Sequence, residues 1–241
     1  MTSLDEFSVE KDEATRVARL VDAEARAVQL FEVIVDRGLI RPGETERAVS
    51  DAVRDLAADM FGVNRYWHKR IVRAGENTLK PYRENPPERV LADDDIAFLD
   101  FGPLLEEWEA DFGRTYVLGD DPRKHALATA TEDIWRAGRD AFAADPDITG
   151  EQLYARMCEL AADSGWEFGG GIAGHQVGQF PHEKISGSDV HSYIWPGSER
   201  PMRRKDDAGL VCHWILEVHL VDRAARIGGF HEQLLDIGPN A

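Results

Sequence analysis

Positive charge is scarce in this 241-residue chain: 28 lysines and arginines stand against 45 aspartates and glutamates, a formal net charge of -17. Such a field repels phosphate backbones, so nucleic acid is not an expected partner. Cysteine is nearly absent. Cys158 and Cys212 lie far apart and are expected as buried or half-buried thiols of a reducing cytoplasm, not as a disulfide framework. No run of 18 apolar residues occurs, so no membrane span is predicted. The acidic start MTSLDEFSVEKDEATR has no apolar stretch of the kind a secretory signal carries. Gly-x-Ser-x-Gly is missing, which removes support for a serine hydrolase. His182-Glu183 has Ser186 where a helical zinc-protease motif needs a second histidine. The glycines from Gly169 to Gly174 formally satisfy a dinucleotide fingerprint. With no apolar strand before them and no clear helix after, they read as a flexible approach to His175.

What remains is an ordinary apolar share of 43%, enough for a buried core, and an excess of carboxylates. Such an excess means either solubility or a cleft that holds divalent cations, and charge alone does not choose. Apolar positions at helical spacing (Val17, Leu20, Val21, Ala25, Val28, Phe31, Val35) predict a helix over 9–38, stopped at Gly38. Thr45 caps a second helix, 46–60, ending at Gly62. The apolar runs 96–99 and 116–118 read as neighbouring strands joined by a hairpin-like connection. A third helix spans 122–143, and a Thr149/Gln152 capping box starts a fourth, down to Ala162. Strands follow at 172–176, 212–220 and 224–236, with a polar loop from Ser186 to Asp207. Helices, strands, helices, strands suggest an α+β domain of two similar halves.

Asp100 closes an apolar strand, and Asp111 precedes another. Taken singly, each reads as a turn or cap residue. If the strands pair antiparallel, both carboxylates meet, and a metal removes their repulsion. Gly174-His175 lets the backbone bend around a ligand, although a lone histidine is often just a satisfied polar group. Glu217 lies in the apolar Trp214–Leu220 strand and Glu232 in a later one; either is also readable as a surface residue. Four carboxylates and one imidazole form an oxygen-rich set suited to Mn, Fe or Co, with Zn admitted. Trp67, Trp108, Trp166 and Trp195 read as core or pocket wall. The cluster Arg200, Arg203, Arg204, Lys205 reads as a solvated loop or as a lid meeting a substrate carboxylate.

The order Asp100, Asp111, His175, Glu217, Glu232 resembles the pita-bread metallopeptidases: methionine aminopeptidases, prolidases, Xaa-Pro aminopeptidases and creatinase. The Asp100–Asp111 and His175–His182 intervals match, as do the helix start at Arg41–Glu46 and the strand-turn at Ile71–Asn77. The sequence departs from the pattern at Tyr82, where a histidine is usual with His68 nearby. It departs again at Gln176-Val177, where a second glycine is usual, and at Val218-His219, in place of Pro-Gly. The resemblance implies a pita-bread fold of two pseudo-symmetric halves of antiparallel sheet covered by helices. It also implies one catalytic domain over 1–241, without the separate N-terminal domain of prolidases, with 1–14 as a flexible tail and 186–208 as a long loop. It further implies two divalent metal ions, one held by Asp111, His175, Glu232 and Glu217, the other by Asp100, Asp111 and Glu232. Glu217 would shuttle a proton, His182 would bind the substrate carbonyl or developing oxyanion, and His68 and Tyr82 would stand on the substrate side. The expected partner is a peptide or small amide, with a homodimer admitted. The alternatives are a non-peptide C–N hydrolase or a non-catalytic peptide-binding member of the fold.

Overall fold

The computed structural model describes residues 9–180 and 190–238. Of the tail expected over 1–14, residues 1–8 lie outside the described residues, and Glu13 already belongs to the first helix. Helix α1 (Glu13–Asp36) is capped by Asp12, whose carboxylate accepts the Thr15 N–H at 2.9 Å. Its buried stripe is Leu20, Ala23, Ala27, Leu30, Phe31 and Ile34. That stripe is rotated from the expected one: Ala25 and Val35 face solvent, because the small Ala23 and Ala27 are the positions packed into the core. Helix α2 (Glu46–Phe61) starts at Thr45 and stops at a left-handed Gly62, φ 70°. Helix α3 (Pro122–Ala144) has Asp121 as cap with Pro122 in its first turn. Helix α4 (Gly150–Asp163) begins with the expected reciprocal capping box of Thr149 and Gln152.

The strands are β1 (Ile71–Ala74), β2 (Ile96–Phe101), β3 (Leu104–Leu105), β4 (Trp108–Glu109), β5 (Phe112–Val117), β6 (Glu167–Phe168), β7 (Gly174–Val177), β8 (His213–Asp222) and β9 (Ile227–Leu234). One antiparallel sheet runs β1-β2-β5-β9-β8-β6, with β7 also on β8. The expected partners β2 and β5 do pair. Their connection is not a plain hairpin, since it carries the small ribbon β3–β4. The strand expected at 224–236 is shorter, because residues 223–226 form the turn after β8. Ala225 N–H donates there to Asp222 Oδ1 at 2.9 Å, and Arg226 sits at φ 60°.

Helices cover one face of the sheet. Helices α1 and α2 pack with Val72, Leu99, Phe101 and Phe112. Helices α3 and α4 pack with Trp214, Leu216, Val218 and Leu220, and Trp135 Nε1 donates to the Leu216 carbonyl at 3.0 Å. This is the two-halved α+β arrangement expected. Side chains alternate along each strand, so Asp100 and Phe98, or Glu217 and His219, face away from these helices. The described part of the long loop is packed down: Met202 is fully buried and Trp214 Nε1 donates to its carbonyl at 3.0 Å. Arg203 lies 3.8 Å over Phe142 and donates to the Phe142 and Asp145 carbonyls. Arg204 covers Trp214. These two arginines fasten the end of α3 and β8, which removes them from a lid. Among the described residues, no helix is long and apolar enough to cross a membrane.

Candidate metal centre

Sheet register builds most of the site. Asp100 pairs with Gly113, Gly113 with Glu232, and Glu232 with Glu217, a single row across β2, β5, β9 and β8. Directly opposed residues share a face, so three carboxylates line the face turned away from the helices. Asp111 arrives from the position just before β5. His175 arrives on β7, which pairs with β8 through His175 and Ile215. Gly174 makes that approach: its φ is 135°, and a Cβ there would lie 2.0 Å from the Ile215 carbonyl oxygen.

Asp111 is the hub. His175 Nε2 lies 3.1 Å from its Oδ2, and His68 Nε2 lies 3.1 Å from its Oδ1. His68 Nε2 also stands 3.5 Å from Asp100 Oδ1. Each imidazole donates its Nδ1–H to a main-chain carbonyl, His175 to Gln176 at 2.8 Å and His68 to Lys69 at 2.7 Å. Two sets of ligand atoms lie within 4.8 Å of one another: His68, Asp100, Asp111, and Asp111, His175, Glu232.

The electrostatics follow from burial. Burial raises Asp100 to about 7; His68 opposes this shift and Asp111 adds to it. Burial raises Glu217 to about 8, with His175 opposing and Asp100 and Asp111 adding. Glu232 is pushed well above the usual carboxylate range by burial, then by Asp111, Asp100 and Glu217. Burial alone would raise Asp111 as well, but His68 and His175 outweigh it and hold that carboxyl low. Burial alone would depress both imidazoles; Asp111, joined by Asp100 at His68 and by Glu217 at His175, outweighs it and carries each to about 9.

Glu217 Oε1 and Glu232 Oε2 are buried with no hydrogen-bond partner. A bare carboxylate oxygen in such a place is costly unless a cation meets it. The donor set therefore fits divalent metal.

Of the residues singled out from sequence, the structure brings Asp100, Asp111, His175 and Glu232 together, with Glu217 opposite Glu232. His68 lies inside the cluster. Tyr82 is on the rim, 48% exposed, its ring 5.9 Å from that of His68. His182 lies outside the described residues.

Three further residues support the site, of which the sequence marked only Trp67, as core or pocket wall. Trp67 sets its ring edge-on to both His68 and His175, at 4.6 and 5.1 Å between centroids. Arg114, on the helix side, donates to the Gly113 and Glu232 carbonyls at 2.7 and 2.9 Å and to the Gln233 side chain. Glu46 accepts from Ala74 N at 2.8 Å, Asn77 Nδ2 at 3.0 Å and Arg89 N at 3.1 Å, fastening the end of β1. An arginine in a strand or a glutamate opening a helix carries no local sign of such long-range partners.

A two-halved antiparallel sheet, helices on one face and a buried carboxylate–imidazole cluster on the other, defines a metal-binding protein of pita-bread type. Residues 18–212 match metallopeptidase family M24, and the chain belongs to that family. The Xaa-Pro dipeptidase of Lactobacillus delbrueckii subsp. lactis is 26% identical over 202 residues, covering 77% of this chain and 53% of that one. The chain thus spans about half the length of this curated relative. Among solved structures, the dipeptidase PepE from Mycobacterium ulcerans superposes with TM-score 0.72 at 24% identity, over 96% of this chain and 57% of the other. The methionine aminopeptidase from Rickettsia prowazekii superposes with TM-score 0.67 at 14% identity, over 94% of this chain and 95% of that one. The pita-bread fold expected from the sequence is the fold observed.

Proposed function

We propose that this chain is a metal-dependent hydrolase that removes or splits N-terminal residues of peptides, Xaa-Pro bonds among them. The observation that carries the reading is the convergence on Asp111, with Glu217 Oε1 and Glu232 Oε2 left bare beside it. Asp111, His175, Glu232 and Glu217 would hold one divalent ion, and Asp100, Asp111 and Glu232 a second, with Mn, Fe or Co suited to so many oxygens. Bound there, such ions supply Lewis acidity toward a carbonyl oxygen and acidify water near neutral pH.

The chain's own groups do the rest. Glu217 takes a proton at Oε1 from the attacking water and returns it to the leaving amine. His182 donates to the scissile carbonyl as charge develops on it. Tyr82 contacts substrate at the rim. Arg114, pulling on two carbonyls from behind, fixes β5 and β9 so that Asp111 and Glu232 keep their places.

The test is protein stripped of metal, reloaded singly with Mn, Fe, Co or Zn, and offered free-N-terminus peptides, Xaa-Pro peptides and small amides. Products are read by mass spectrometry. Metal-dependent release of N-terminal residues is the expected result. Hydrolysis of a small amide or amidine with every peptide intact would move the reading to non-peptide C–N bonds. Loaded protein that cleaves nothing would overturn it.

A further inference from the structure

We infer that His68 is a metal ligand, the counterpart of His175 on the other side of Asp111. The wiring of the two rings is the same. Each donates Nδ1–H to a main-chain carbonyl next along the chain, Lys69 for His68 and Gln176 for His175. In each the other nitrogen, Nε2, faces one oxygen of Asp111 at 3.1 Å. Because Nδ1 is committed to a carbonyl in every protonation state, Nε2 is the nitrogen that can give up its proton and offer a lone pair. The same arrangement orients metal-ligating imidazoles generally. His68 Nε2 also reaches to 3.5 Å from Asp100 Oδ1, so it completes a set with Asp100 and Asp111 that mirrors Asp111, His175 and Glu232.

The surroundings are built for that ring. Gly102 packs against it so closely that a Cβ there would lie 2.2 Å from His68 Cδ2 and 2.4 Å from Trp67 Nε1. Trp67 Nε1 donates to the Ala110 carbonyl at 3.2 Å and holds its ring against both imidazoles. The His68 side chain is only 7% exposed. A substrate-recognition group needs an open side, and this ring turns its one uncommitted nitrogen toward carboxylates. A nitrogen donor on each ion makes the pair less selective for Mn and more suited to Zn or Co than carboxylates alone.

The inference rests on the dinuclear reading above, and the experiment separates the two. Co(II) is added to the metal-free full chain, and proton NMR records the exchangeable, hyperfine-shifted imidazole N–H resonances in water. Two such signals, from Nδ1–H of His175 and His68, are expected at two equivalents; a single signal overturns the assignment. His68→Ala is titrated in parallel. The first equivalent should bind as in the parent protein and the second at least about 10-fold more weakly, the lower bound seen even for outer-shell partners of ligands. Its preference should also shift toward Mn. Two unchanged affinities would overturn the assignment and leave the dinuclear reading standing. No Co(II) binding to the parent protein would overturn both. The NMR measurement needs no substitution, so it decides the matter even if the variant fails to fold.

Discussion

Asp111 is the residue on which the rest of the site is organised. Both of its oxygens face imidazoles, and it belongs to both candidate ligand sets. Asp111→Ala should therefore reduce metal content, measured by mass spectrometry of digested protein, to background for both ions. A variant that keeps one full equivalent would show that Asp111 is no bridge.

The protons held by the metal-free cluster give a second expectation. His68 and His175 stay protonated to about 9 and Glu217 to about 8. Ligands must lose these protons before a cation binds. Metal binding at pH 7 should release protons, and affinity should climb from pH 7 to pH 9. Calorimetry in buffers of different ionisation enthalpy reads this directly; a buffer-independent heat would contradict it.

At the scale of elements, placement depends on a few close approaches. Gly174→Ala sets a Cβ 2.0 Å from the Ile215 oxygen at a φ of 135°. Overpacking and backbone strain together should cost about 2–4 kcal/mol in denaturant unfolding, and His175, the next residue, should lose its place. Stability within about 0.5 kcal/mol of the parent would mean that β7 shifts freely. Glu46→Ala strands the buried Ala74 N–H, while the Asn77 amide keeps its bond to the Pro87 carbonyl at 2.9 Å, and should cost about 1–3 kcal/mol, the cost of one unsatisfied buried group. A change below about 1 kcal/mol would show that water replaces the carboxylate.

These elements also show what local sequence conveys. The helices are legible because caps such as Thr45, Asp121 and Thr149 and the stop at Gly62 act within a few residues. Strand β9 is harder. Its eight residues, Ile-Gly-Gly-Phe-His-Glu-Gln-Leu, are all buried, one face against helices and the other against the site. Alternation therefore has no polar side to reveal. The ribbon β3–β4 and the two-residue β6 are too short to carry a period. Asp100, Asp111, His175, Glu217 and Glu232 stand out through their order along the chain. His68 is marked in the sequence only as a substrate-side residue, because nothing local shows that its ring packs against Gly102 beside Asp111.

For the whole molecule, the cluster couples stability to pH. Asp100 is raised to about 7, Glu217 to about 8, and both imidazoles to about 9. A folded-state pKa above the unfolded one contributes stability that is present at low pH and lost as pH rises through the folded value. Asp111 has the opposite sign, but its contribution is lost only as pH falls below the usual carboxylate range; His219 and His231, held below the usual imidazole value by burial, also have it, and their effect is complete by about pH 7. Metal-free protein should thus lose Tm steadily between about pH 7 and pH 9, while metal-loaded protein should not. Scanning calorimetry with and without chelator checks this; a metal-free Tm that is flat or rising over that window would refute the buried-cluster account.

The row Asp100–Gly113–Glu232–Glu217 crosses the boundary between the two halves. The set His68, Asp100 and Asp111 lies within one half, whereas the set Asp111, His175 and Glu232 draws on both, so this second set cannot assemble before β7 and β9 have emerged and docked. At that shared set, cation capture would be tied to the long-range pairing of β5 with β9. An ion seated there would act as a rivet through the seam, opposing separation of the halves in a way that neither hydrophobic cluster does alone.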